Sequence, residues 1–251
     1  MYQGIDTAAA IGAEAAEKLK REGISFVGRY LVPAEGATAW KALTREEARR
    51  IREAGLAILL IWETDGSRAK GGAAAGAADG AAALRLAREM GVPVGTVIAF
   101  AVDYDAPAAD IPAIQAYFRA AGEQLFGSYL LGCYAPAAAL EALREFCNWR
   151  WLCYAWAYGR HPDADAYQTA WQGDAAAKAL AAKTGIAAVD LDEAKSLAGL
   201  WQPDKPQSEE ETALAWAVEN GIVDDSMRDV GQTALMLWRY HGKDLSGLLE
   251  D

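Results

Sequence analysis

The chain has 251 residues, enough for one large domain or a medium one with an appendage, and at 53% hydrophobic and 24% charged its composition is globular. Its 24 Lys and Arg stand against 35 Asp and Glu, a formal charge of −11, which argues against phosphate backbones and anionic lipid and therefore against nucleic acid and membrane as partners. No apolar run is long enough to cross a bilayer, whereas nine Trp and ten Tyr offer flat faces suited to stacking on sugar rings.

Short apolar runs alternate with amphipathic stretches from the start of the chain to about residue 200. The pattern predicts strands over 4–6, 26–31, 57–63, 96–105, 129–134, 151–157, 166–171 and 187–192. It predicts helices over 8–22, 44–54, 77–90, 110–125, 136–147, 174–184 and 193–199. Thr44, with Glu47 three residues on, forms a capping-box start, and Gly23, Gly55 and Gly91 sit where helices should stop. Such alternation needs crossover connections and argues for a parallel sheet. Eight strands in roughly 200 residues match the lower size limit of a (β/α)8 TIM-type barrel. A doubly wound sheet would carry a Gly-rich turn after its first strand, and Asp6-Thr7-Ala8-Ala9-Ala10 is not one.

The Gly/Ala-rich segment 71–80 lacks the Gly-Lys-Ser/Thr ending of a phosphate loop and reads as a flexible loop opening a helix. Cys133, Cys147 and Cys153 are an odd set without a paired motif, as expected of reduced, buried thiols. The histidines are His161 and His241 alone, too few for a structural zinc site. The first residues run straight into a strand with neither a basic start nor an apolar core, so no signal peptide is expected and synthesis would be cytoplasmic. Residues 201–208 read as a linker, and 209–251 as a small helical tail, so that the barrel occupies 1–200.

In a parallel barrel the functional groups stand at the C-terminal strand ends. Those ends are Asp6, Arg29, Glu63, Asp103 with Asp105, Tyr134, Trp156, Gln168, and Asp190 with Asp192. On the fourth strand Val97, Ala99, Ala101, Asp103 and Asp105 share one face, small enough for a barrel interior. Both acids would then point into the mouth with α-carbons about 6.6 Å apart. Two carboxylates so placed should not ionise equally, the condition for one acid and one base. Ala57, Leu59, Ile61 and Glu63 repeat the pattern, and the same alternation turns Arg29 inward with Val27. Competing structural readings exist: Asp105 as the cap of a turn, Arg29 as an ion-pair partner of Asp6 or Glu63, and Tyr134 and Trp156 as core aromatics.

Gly4-Ile5-Asp6, Phe26-Val27-Gly28-Arg29-Tyr30, Ala101-Val102-Asp103-Tyr104-Asp105, Trp156, Tyr167-Gln168 and Val189-Asp190-Leu191 occur in a characteristic order and spacing. In this the chain resembles a glycoside-hydrolase-like barrel family, distantly related to the Chalaropsis-type (family 25) muramidases. The resemblance implies action on bacterial cell walls. The muramidases end the fourth strand in Asp-x-Glu, whereas this chain has Asp103-Tyr104-Asp105, one methylene shorter at the second acid. Residues 215–223 and 233–240 resemble the two helices of an S-layer-homology repeat, which implies wall attachment. Together these imply a phage endolysin or prophage product acting at the wall once released.

Three functions are compatible with these residues. In the first, a monomeric lysozyme-like glycosidase cleaves β-1,4 links of peptidoglycan without metal or cofactor. Asp103 with Asp105 or Glu63 is its acid/base pair, Asp6 and Asp190 stabilise positive charge, and Arg29, Tyr134, Trp156 and Gln168 line the sugar site. The second is a catalytically silent glycan-binding barrel, and the third a hydrolase holding a divalent cation on Asp6, Glu63, Asp103 and Asp190.

Overall fold

The computed structural model describes residues 1–203. They form an α/β fold around a closed eight-stranded barrel in which sequence neighbours are spatial neighbours. The strands are β1 (Tyr2–Asp6), β2 (Phe26–Tyr30), β3 (Ala57–Trp62), β4 (Val97–Ala101), β5 (Leu130–Ala135), β6 (Trp149–Leu152), β7 (Ala166–Ala170) and β8 (Asp190–Ala194). The helices are α1 (Ala13–Arg21), α2 (Arg45–Glu53), α3 (Gly72–Met90), α4 (Ile111–Leu125), α5 (Ala137–Ala142) and α6 (Ala175–Thr184). The expected tail 209–251 lies outside the described residues.

The barrel departs from the all-parallel (β/α)8 plan in two ways. β1 to β7 run parallel to one another, but β8 is antiparallel to both β7 and β1, and no helix joins β6 to β7. The expected helix over 193–199 is absent because β8 runs on to Ala194. Reversal of β8 puts its first residue, Asp190, opposite Asp6 at the mouth and sends Asp192 inward, opposite Gly4.

Two apolar layers follow from strand alternation. Phe26, Ala57, Leu59, Ile61, Val97, Ala99, Ala101, Tyr134, Trp149 and Trp151 fill the interior. Val27, Ile58, Leu60, Ile98, Phe100 and Val102 pack outward beneath the helices. Thr44 caps α2 by accepting the Glu47 amide hydrogen at 3.1 Å, as its spacing predicts. The three cysteines are free, with Cys133 and Cys153 buried.

Three expectations are corrected by packing. The 71–80 segment is helical from Gly72 onward. Its glycines let α3 lie directly on α4: a Cβ at Gly76 would stand 2.0 Å from the Tyr117 carbonyl oxygen, and one at Gly80 2.8 Å from that of Ala121. Trp201 belongs to the barrel instead of a linker, exchanging backbone hydrogen bonds with Ile58 and lying buried under the Arg52 guanidinium. Arg29 faces outward with Val27, since Phe26, Gly28 and Tyr30 take the interior side of β2. It is fully buried against α2, where its guanidinium clasps Glu47 at 2.7 and 3.2 Å and donates to the Thr7 carbonyl at 2.7 Å.

Candidate active site

The mouth encloses a cavity of about 180 Å³ lined by Asp6, Tyr30, Ile61, Glu63, Asp103, Tyr134, Trp151, Ala155, Gln168, Trp171 and Asp190. Six of the residues read as site candidates from the sequence therefore meet there: Asp6, Glu63, Asp103, Tyr134, Gln168 and Asp190. Asp105, Arg29 and Trp156 do not line it.

Asp6 ends β1 beside Gly28, where any side chain would intrude: a Cβ at 28 would be 2.8 Å from the Asp6 Cβ. Gln168, projecting inward from β7, organises this wall. Its Nε2 donates to Asp6 Oδ2 at 2.9 Å and to Asp190 Oδ2 at 3.0 Å. Its Oε1 accepts from the Tyr134 hydroxyl at 2.9 Å and the Tyr154 amide at 3.1 Å. Every hydrogen-bonding valence of the amide is thus used, fixing two carboxyl groups from neighbouring strands. Tyr134 is locked in turn by an edge-on contact with Trp151, ring centroids 4.5 Å apart.

On the opposite wall Glu63 follows β3 and pairs with Lys41 Nζ at 3.0 Å. Lys41 is buried at the end of the Gly36–Lys41 3-10 turn and lies 4.2 Å from the Tyr30 ring centroid. Asp103 follows β4 and is half-buried, its amide donating to the Gly66 carbonyl at 2.9 Å.

Crowding of acids in a shielded mouth raises their proton affinity. Burial, then the charge of Asp190, lifts Asp6 to about 7. Burial, then the charge of Glu63, lifts Asp103 to about 6. Burial also raises Asp190, although it accepts the Gln172 amide hydrogen at 2.5 Å. Proton-holding and ionised carboxyls thus coexist near neutrality, which suits general acid–base work.

A fourth strand continuing to residue 105, as the spacing predicts, would place Asp105 in the mouth. β4 ends at Ala101, alternation lapses, and Asp105 is exposed, accepting the Tyr158 hydroxyl at 2.7 Å. Trp156 is half-buried and packs against the interior cluster. Arg29 is paired with Glu47 and not with the expected Asp6 or Glu63, because it lies on the outer face of β2.

Sequence reasoning missed Tyr30, Lys41, Trp151 and Trp171. Tyr30 was within reach, since alternation from Phe26 carries it inward. Lys41 and Trp171 stand outside strand interiors and carry no periodic signal. A second hollow of about 400 Å³ adjoins the first through Asp6, Tyr30 and Asp190 and is edged by exposed Trp40, extending the mouth into a groove.

A closed barrel with carboxyl groups from several strands around one aromatic-lined mouth is an arrangement that suits a glycoside-hydrolase-like barrel. The chain belongs to the Rv2525c-like, glycoside hydrolase-like domain family, whose model matches residues 17–196. It shares its fold with the Tat-secreted protein Rv2525c of Mycobacterium tuberculosis, at 19% identity and a TM-score of 0.62, covering 80% of this chain and 98% of that one. An uncharacterized Bacillus stearothermophilus protein is similar at 21% identity and a TM-score of 0.57, covering 80% and 100%. Uncharacterized protein FadG of Bacillus subtilis (strain 168) is 37% identical over 137 residues, 52% of this chain but 24% of that protein. The match thus spans about a quarter of that curated relative's length.

Proposed function

We propose that this barrel hydrolyses β-1,4 glycosidic links in the glycan strands of bacterial peptidoglycan. The observation that carries the reading is the convergence of Asp6, Glu63, Asp103 and Asp190 on one cavity bordered by Tyr30, Trp151 and Trp171. Asp103, shielded and next to the charge of Glu63, holds a proton into the mildly acidic range and gives it to the leaving oxygen. Glu63, ion-paired with Lys41, is the carboxylate that activates water or attacks the anomeric carbon. Asp6 and Asp190, held by Gln168, face the developing positive charge of the oxocarbenium-like transition state. Exposed Trp171 and Trp40 offer stacking faces for neighbouring sugar units along the groove.

The test is release of new reducing ends from purified peptidoglycans, and none from several types would refute hydrolysis. Among the described residues no three Asp, Glu, His or Cys side chains converge tightly enough to hold a metal ion. The glycosidase reading uses no metal, so activity should persist in chelator.

A second reading, a silent glycan-binding barrel, is favoured by one observation: the second acid of the fourth-strand motif, Asp105, is turned out of the cavity to Tyr158. It predicts sedimentation with wall sacculi without loss of turbidity. The tail over 209–251 is proposed as a wall-attachment segment, and its removal should weaken that sedimentation.

A further inference from the structure

Asp192 is a carboxyl group that the proposed chemistry does not use. β8 carries it into the barrel interior, opposite Gly4 of β1 and Gln168 of β7. It is 1% exposed. Trp151 Nε1 donates to its Oδ1 at 3.1 Å. Its Oδ2 is fully buried and meets no N–H or O–H donor among the described residues.

Among the described residues the neighbourhood supplies no countercharge. From β1, Asp6 is the diagonal neighbour of Asp192 on the interior face, two residues from the Gly4 that Asp192 opposes, and on β8 itself Asp190 adds a second acid. From β7, Gln168 has both amide hydrogens engaged by Asp6 and Asp190. From β6 there is the neutral indole of Trp151. Arg29 lies outside the barrel on Glu47, and Lys41 pairs with Glu63. An ionised carboxylate with one hydrogen bond, no cation and two acidic neighbours is expensive to bury, and such a group takes up a proton instead. Oδ2–H then has an acceptor where none of the surroundings had a donor to give: the carboxylate of Asp6.

We propose that Asp192 is a neutral carboxylic acid whose Oδ2 proton is donated to Asp6, so that this buried pair from β1 and β8 carries no more than one negative charge at neutral pH. Asp6 is thereby held by two donors, Gln168 Nε2 and Asp192, and its ionised form is favoured where Asp190 opposes it. Asp192 is a positioning residue. Burial, then the charge of Asp6, raises its proton affinity well above the carboxylate range, and the two groups titrate as a pair. What Asp6 does for catalysis rests on the glycosidase reading, but the protonation of Asp192 does not.

The experiment uses the full chain without any glycan. Aspartate carboxyl carbons are labelled and followed by NMR between about pH 4 and pH 9. One carboxyl should keep its protonated shift at about pH 8, and that signal should vanish in Asp192→Asn. The Asn amide keeps the shape and the donor, so Asp192→Asn should match wild type in net charge by electrophoretic mobility at about pH 8. The proposal is overturned if every aspartate of the wild type is ionised by about pH 7, or if Asp192→Asn loses a full negative charge. Should the variant not fold, the wild-type titration decides alone. A failed titration leaves the hydrolysis assay standing, and an inactive protein leaves the titration standing.

Discussion

Two backbone amides decide where Asp103 stands: the Val102 N–H donates to the Tyr134 carbonyl at 2.8 Å and the Asp103 N–H to the Gly66 carbonyl at 2.9 Å. Beyond them strand pairing ends, and a single residue, Tyr104, separates a shielded acid from a solvated one. Asp103→Asn keeps the shape and removes the proton, so the fold should persist while hydrolysis falls at least about a hundredfold. Asp105→Asn should stay within about twofold of wild type, since its partner is an exposed tyrosine hydroxyl. Reducing-end release beside circular dichroism checks both, and equal losses from the two variants would contradict this division. Gly28→Ala belongs to the same scale. The added methyl meets the Asp6 Cβ at 2.8 Å and must displace that side chain from Gln168. It should reduce turnover and also lower the melting temperature, because the Asp6 Cβ cannot yield without the β1 backbone.

Elements are held to the barrel by a few buried polar clasps. Glu47, on α2, accepts from Arg29 of β2 and from the Ile11 amide at 2.8 Å, while Arg29 also holds the Thr7 carbonyl. One ion pair therefore ties α2, β2 and the loop leaving β1 after Asp6. Glu47→Ala leaves a buried guanidinium uncompensated and should cost about 3–5 kcal/mol, measured by urea denaturation. A loss below about 1 kcal/mol would show the clasp to be dispensable. α3 and α4 meet differently, through glycines and through Asp79, which accepts from Arg68 at 3.0 Å and from the Tyr117 hydroxyl at 2.7 Å. Gly76→Leu should prevent this approach and destabilise by about 1–3 kcal/mol or more.

For the barrel as a whole, the acidic mouth opposes folding at neutral pH. Asp6 and Asp103 bind protons more tightly folded than unfolded. Their contribution is fully present below the ordinary carboxylate range and is lost as pH rises through about 6 and about 7. Thermal stability should therefore decline from about pH 5 to about pH 8, and Asp6→Asn should flatten that decline. Stability rising over the same interval would contradict the burial of these groups. Hydrolysis should fall across the same range as Asp103 loses its proton.

Much of this architecture was legible in the sequence because alternation is a local property. The faces of β3 and β4 could be read from Ala57, Leu59, Ile61 and Val97, Ala99, Ala101, and with them the inward acids Glu63 and Asp103. Strand ends were less legible, as Asp105 shows, because a strand stops where partner carbonyls stop. Arg29 was misassigned because a buried guanidinium on an outer face looks, in sequence, like a polar residue at a barrel mouth; only Glu47 from a separate helix distinguishes them. The direction of β8 was likewise beyond local pattern. Asp190 and Asp192 share one face whichever way the strand runs, and it is pairing with β1 that sends Asp190 to the mouth and Asp192 into the interior. Period and composition thus determined most of the elements, an eight-stranded barrel and the inward direction of Glu63 and Asp103. Which acids meet, which are shielded and which cations they find were decided by contacts between residues far apart in the chain, where burial and charge act through space.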